Sequence, residues 1–270
     1  MIMYYVDSHT HLDQLTWKNL KNMYIAGIRV IVSPAQLFPA KPVSNETIKD
    51  IWDYALEVQL DRAKEHLIKG YAMIGVSMVS TPSGDFHEPL KWLPDYLKRP
   101  EVVGIGEIGI EPGSMTSQDL GFQEKIVREQ LKILKEFNKA VVFHTPTAFE
   151  NKIKYTKMML NLCNEYGIPM SKVVIDHCSD ANIEMVMQAG AFAAISVRNV
   201  TPESAADLVI KYGHRKIILN SDCTNRVSNP IAVPETAYIL KKKGISAEIV
   251  KKVCCSNALS VYSIEECIDI

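Results

Sequence analysis

VVGIGEIGI at residues 102–110, QEKIVREQLKILKEF at residues 123–137 and AVVFH at residues 140–144 together carry the topology of this chain. The first and third segments are short runs rich in Val, Ile and Phe, the composition of strands buried on both faces. The middle segment places Ile126, Val127, Leu131, Leu134 and Phe137 on one helical face, with charges opposite. No hairpin signal separates the two runs. A strand, an amphipathic helix and a second strand imply parallel pairing through a right-handed crossover.

The same unit repeats in both directions. Toward the N-terminus, strands are expected at MYYV near Met3, IRVIV near Arg29 and YAMIGVSM from Tyr71. Toward the C-terminus they are expected at VVID from Val173, AFAAIS from Ala191 and KIILNS from Lys216. A long helix is expected from Asn45, capped by that residue, with Ile48, Ile51, Trp52, Leu56 and Leu60 on its apolar face. Further helices are expected near Glu150, Asn182, Pro202 and Val233. Eight such strands in about 220 residues imply a closed (β/α)8 TIM barrel occupying residues 1–270 as a single α/β domain. No GxGxxG follows the first strand, which argues against an open dinucleotide-binding sheet. The stretches Ser33–Asn45 and Ser77–Pro89 are long for strand-to-helix loops and belong on the C-terminal face, where such barrels carry their active sites.

Composition narrows the partners. Lys plus Arg is 30 and Asp plus Glu is 31, so no overall basic charge points to nucleic acid or an anionic membrane. The N-terminal MIMYYVDSHTHL has no basic segment ahead of an apolar one, and no apolar run reaches the roughly 20 residues of a membrane span. Six cysteines (163, 178, 223, 254, 255 and 267) form no CxxC pair and read as reduced thiols. The expectation is a cytoplasmic enzyme with no membrane partner.

The chemistry lies at the strand ends. Asp7-Ser8-His9-Thr10-His11 follows the first strand, and residues two apart in extended chain point the same way, so His9 and His11 can bind one ion together. Glu107 is a carboxylate inside an apolar strand, where an unpaired charge would cost several kcal/mol. His144 ends the fifth strand, His177 the sixth, and Asp222 follows the eighth. Singly each has a plainer reading: a core histidine with satisfied hydrogen bonds, a structural ion pair, or, for Asp222, a helix cap. Together they aim six ligand-type side chains from five strands at one barrel mouth. His66, His87 and His214 fall in helical or loop contexts. Four imidazoles and two carboxylates are too many for one ion with an open position and suit two. That mixture favours Zn²⁺, Mn²⁺, Fe²⁺, Co²⁺ or Ni²⁺ over the oxygen-only cages of Mg²⁺ or Ca²⁺. Two such ions activate water and polarise the bond under attack.

DSHTHL, GIGEIGIE, FHTP, DHC and NSDCT, in that order and spacing, resemble the TatD-related branch of the amidohydrolase superfamily. Cys255-Ser256-Asn257-Ala258 resembles the closing Asn-containing helix of that family. The resemblance implies a divalent-metal hydrolase in which His9, His11 and Asp222 hold one ion, His144 and His177 hold the other, and Glu107 bridges. Asp222 is then also the group that takes a proton from water. Many members trim DNA ends, while the wider superfamily cleaves lactones, amides and phosphotriesters. A phosphoester substrate is therefore expected, with single-stranded nucleic acid among the candidates. The alternative is a small-molecule lactone, amide or organic phosphate. Three positions depart from the family pattern: Ser77 replaces the histidine of a Gly-x-His-Pro motif, Glu111 replaces an Asp, and Asn220 replaces an acidic residue. Arg198 and Arg226 follow the last two strands, where these barrels often bind phosphate, and are the candidate substrate contacts.

Overall fold

The computed structural model describes residues 4–36, 42–77, 86–112, 119–224 and 228–265. Eight parallel strands follow one another around the sheet in chain order. They are β1 (Tyr5–Asp7), β2 (Ile28–Pro34), β3 (Lys69–Ile74), β4 (Val102–Gly109), β5 (Ala140–His144), β6 (Val173–Ile175), β7 (Phe192–Ser196) and β8 (Ile217–Asn220). All eight expected apolar runs are strands. Beyond the ladders, β1 and β8 are drawn together at the mouth. Ser221 N–H donates to Asp7 Oδ1 (2.9 Å), Asp222 N–H to the His9 carbonyl (3.0 Å) and His11 N–H to the Cys223 carbonyl (3.1 Å). The result is a (β/α)8 barrel, with α1 (Trp17–Ile25) packed between β1 and β2.

The helix expected from Asn45 is three consecutive pieces: α2 (Asn45–Tyr54), a π-helical turn (Ala55–Gln59) and α3 (Leu60–Glu65). Its cap is Ser44, whose hydroxyl accepts from Thr47 N–H, and not Asn45. Ser44 is extended, as a cap must be, while Asn45 already lies in the helix. Ile48, Ile51, Trp52 and Leu60 are buried, and Leu56 is partly buried. Next come α4 (His87–Leu97), α5 (Leu120–Leu134), α6 (Phe149–Glu165), α7 (Ile183–Gln188), α8 (Pro202–Tyr212), α9 (Ala232–Lys242) and α10 (Ala247–Lys251). The chain ends in a second π turn and α11 (Asn257–Tyr262). No helix among the described residues is long and apolar enough to cross a membrane.

Two apolar layers follow from the two-residue period of a strand. Val6, Val30, Val32, Met73, Val103, Val142, Val174 and Ile218 fill the barrel interior, where Cys255, Leu259 and Tyr262 of the C-terminal segment join them. The residues between, such as Ile74, Ile105, Phe143 and Ile175, face the helices. Asn257 anchors the closing helix through its amide, which donates to the carbonyls of His214 (2.8 Å) and Ile217 (2.7 Å).

β4 breaks the regular period where it matters for the site. Its register against β5 slips between Ile105 and Ile108, so one extra residue falls at Gly106–Glu107. An irregularity of this kind re-aims a side chain, and here it involves the carboxylate of an otherwise apolar strand. The glycines flanking it allow β5 to come close. A Cβ on Gly104 would lie 2.4 Å from the Ala140 carbonyl oxygen, and Gly109 has φ +152° with its Cβ position 2.7 Å from the His144 oxygen. Gly104→Ala should therefore push β5 off β4 and destabilise the protein by about 1–3 kcal/mol, a Tm loss of roughly 2–12 °C. An unchanged melting curve would show that β5 is free to retreat.

Candidate metal centre

Each candidate ligand is delivered by a strand end. His9 and His11 follow β1, Glu107 lies in β4, His144 ends β5, His177 follows β6 by one residue and Asp222 follows β8. All six are wholly or largely buried. Their potential ligand atoms form two groups, His9–His11–Glu107 and Glu107–His144–His177, in each of which the atoms lie within 4.8 Å of one another. Glu107 belongs to both. Its Oε1 is 2.9 Å from His144 Nδ1 and 3.1 Å from His177 Nε2, and those two nitrogens are 3.1 Å apart. Its Oε2 is 3.8 Å from His9 Nε2. Asp222 Oδ1 lies 3.3 Å from His11 Nε2, and Oδ2 lies 3.8 Å from His177 Nδ1.

These spacings fit a metal. Donor atoms ~2.0–2.1 Å from a tetrahedral ion stand ~3.3 Å from one another, and the triangle around Glu107 Oε1 has sides of 2.9, 3.1 and 3.1 Å. The orphaned donors fit as well. His9 Nε2 and His11 Nδ1 are buried with no hydrogen-bond partner, a loss that ordinarily costs ~1–3 kcal/mol per group.

Protons balance the charges when no ion is bound. Burial disfavours the charged form of His9, but the Asp176 carboxylate outweighs it and raises the pKa to about 10. His144 rises in the same way to about 9, against burial, through its hydrogen bonds to Glu107 and Glu111. Burial alone would raise Glu107; the hydrogen bonds from His144 and His177 instead hold it well below the usual carboxylate range. Asp222 is lowered too, because the His11 hydrogen bond and the charges of His177 and His9 overcome its burial.

Two of the candidate ligand positions have left-handed backbone, His177 with φ +55° and Asp222 with φ +43°. Non-glycine residues there cost about 1–3 kcal/mol and cluster at functional sites. His177 is held in that conformation from both sides: its N–H donates to Asp176 Oδ1 (2.8 Å), and its carbonyl accepts from Lys152 Nζ, a buried lysine of α6.

Arg198, on a 3-10 turn after β7, points its guanidinium at the centre. Nη2 is 2.9 Å from Asp222 Oδ2, and Nη1 donates to Thr224 Oγ1 (3.3 Å). Arg226 lies outside the described residues. Glu111 reaches the cluster, with Oε2 3.0 Å from His144 Nε2. Asn220 and Ser77 are buried. The residue that sequence reasoning missed is Asp176, wholly buried and accepting from His9 Nδ1, the His177 amide, Ser196 Oγ and Asn220 Nδ2. Its signal was available: a second ionisable group directly before His177 at the end of an apolar strand.

Comparison with known proteins agrees with this architecture. The family model for TatD related DNase matches residues 6–263. An uncharacterized metal-dependent hydrolase of Methanocaldococcus jannaschii is 28% identical over 260 residues, covering 95% of this chain and 99% of its own. Among solved structures, a TatD-like protein from Archaeoglobus fulgidus superposes with a TM-score of 0.79 at 24% identity, over 96% of this chain and 100% of that one. The phosphotriesterase homology protein of Escherichia coli, solved with phosphate in its active site, has the same fold, with a TM-score of 0.72 at 15% identity over 96% and 99% of the two chains. Matched along nearly its whole length, this chain belongs to the TatD related DNase family and is a metal-dependent hydrolase.

Proposed function

We propose that the protein hydrolyses a phosphoester with a two-ion centre. His9, His11 and Asp222 would hold one ion, His144 and His177 the other, and Glu107 would bridge them. The observation that carries this reading is the pair of clusters sharing Glu107, with the Arg198 guanidinium 2.9 Å from Asp222. Divalent ions bound there supply Lewis acidity and lower the pKa of water. The chain's own groups do the rest. Asp222, ionised and buried, accepts the proton that water gives up. Arg198 supplies a fixed cation at the mouth, paired in charge with Asp222 at 2.9 Å and donating one hydrogen bond, from Nη1 to Thr224. Such a donor complements the charge of a phosphoryl transition state. The Arg226 side chain is the second candidate contact for the same oxygens.

A second reading, cleavage of a lactone, amide or small organic phosphate, is favoured by Glu111. Its carboxylate 3.0 Å from His144 adds negative charge at the centre, which suits a compact substrate better than a polyanionic strand.

Arg198→Ala separates the two readings. It should cost roughly 1.5–3 kcal/mol, or about 10–150-fold in kcat/KM, on phosphoesters and leave lactones unaffected. Turnover of lactones or amides alone, with Arg198→Ala equal to wild type, would favour the second reading. Glu107→Gln should lower metal occupancy and rate together, since it withdraws the charge shared between the clusters; full occupancy and rate in that variant would remove Glu107 from the bridging position.

Metal uptake should also displace protons. The metal-free protein keeps His9 and His144 protonated to about pH 10 and 9, against 6.5 for free imidazole. Between those limits the folded state binds more protons than the unfolded one. The stability that these two groups contribute to the metal-free protein is therefore fully present below pH ~6.5 and is lost as pH rises through 9 and 10, while zinc affinity should rise over the same interval. Calorimetric zinc titrations in buffers of different ionisation enthalpy should show proton release at pH 7–8 and about two ions per chain. Uptake without proton release would mean that the ions bind elsewhere.

A further inference from the structure

Asp176 follows β6 directly and is wholly buried. Its Oδ2 accepts from His9 Nδ1. Its Oδ1 receives three donors: the His177 amide (2.8 Å), the Ser196 hydroxyl (2.8 Å) and Asn220 Nδ2 (2.9 Å). Ser196 has one hydrogen, and a carboxylate cannot donate, so that hydrogen goes to Asp176. The Ser196 oxygen must then accept from His177 Nδ1, 2.8 Å away. Asn199, whose amide lies 3.2 Å from the same ring nitrogen, has to turn its oxygen toward the ring.

One carboxylate thus fixes two imidazoles, His9 directly and His177 through Ser196. In both rings Nδ1 is thereby held as N–H, and Nε2, on the Glu107 side, is the nitrogen that would bind an ion once its own proton is displaced. His9 Nε2 is 3.8 Å from Glu107 Oε2, and His177 Nε2 is 3.1 Å from Oε1. His9 belongs to one cluster and His177 to the other. The same carboxylate also holds the His177 amide, and the Asp176 carbonyl accepts from Thr145 Oγ1 (2.7 Å).

We propose that Asp176 is a positioning residue common to both ion sites, setting the ring tautomer of one ligand in each. The inference rests on the two-cluster reading above. The test is Zn²⁺ titration of wild type, Asp176→Asn, Ser196→Ala and the double variant Asp176→Asn/Asn220→Asp, with ¹⁵N spectra of histidine-labelled, zinc-loaded protein. Asp176→Asn presents an NH₂ to several donors at once and should weaken both zinc equivalents by roughly 10–100-fold. The Nδ1–H signature should be lost at His9 and His177, while the signals of His11 and His144 stay as in wild type. Ser196→Ala should weaken one equivalent and disturb His177 alone. Asn220→Asp, which turns a donor facing position 176 into an acceptor, should restore part of the lost affinity. Should Asp176→Asn fail to fold, Ser196→Ala still decides: an unchanged His177 signature with two wild-type equivalents overturns the proposal. So does an Asp176→Asn protein that binds both equivalents normally or loses only one. A wild-type protein that takes up no zinc would instead defeat the two-cluster reading itself.

Discussion

A carboxylate built into an apolar barrel strand has to be neutralised where it stands, and the mouth of this barrel is organised around that need at Glu107. Its two oxygens face imidazoles from three other strand ends, His9 on one side and His144 and His177 on the other. With no ion bound, protons on the imidazoles supply the balancing charge, which is why His9 and His144 titrate so far above free histidine. Four like-charged imidazolium groups this close would repel one another, so the arrangement makes physical sense only around shared anions or shared metal. The register slip that aims Glu107 inward and the glycines that let β5 approach it serve the same end.

The strain in the site is local and is held by buried polar contacts. His177 and Asp222 both adopt left-handed backbone; His177 is pinned by Asp176 and by Lys152 of α6, and Asp222 by the His9 carbonyl. Asp222 N–H reaches the His9 carbonyl, so one hydrogen bond joins β1 to β8 and sets a ligand carboxylate in place. Closing the barrel and building the centre are therefore the same structural act at this edge. Asp7 shows the cost. It is wholly buried and holds the Ser221 amide, and burial raises its pKa to about 6.

Much of this was legible from residues alone, for a definite reason. Strands buried on both faces read as uninterrupted apolar runs, so all eight were visible, and a polar residue closing such a run stood out at once. That is how His144, His177 and Asp222 became candidates. Helix boundaries were less legible. Asn45 and Ser44 are both good caps, and only backbone conformation separates them. α1 is short and α4 is interrupted by Pro94, and both went unread. Asp176 was missed because a carboxylate beside a histidine looks like part of the same strand end. Its role depends on β7 and β8 supplying Ser196 and Asn220, which no local pattern reveals.

The departures from the family pattern acquire a physical sense in this light. Asn220, standing where an acidic residue is usual, donates its amide to Asp176 at 2.9 Å. A second carboxylate at that position would face Asp176 across a buried hydrogen-bond distance, with a repulsion that no nearby donor could offset. An amide there turns the contact into a donor for a carboxylate that already orients two rings. Glu111 is one methylene longer than the usual Asp, and its Oε2 stands 3.0 Å from His144 Nε2, on the side of the ring away from Glu107. His144 is thereby held between two carboxylates, as His9 is between Asp176 and Glu107. The charge balance of the mouth, cationic at Arg198 and anionic at Glu111, is asymmetric.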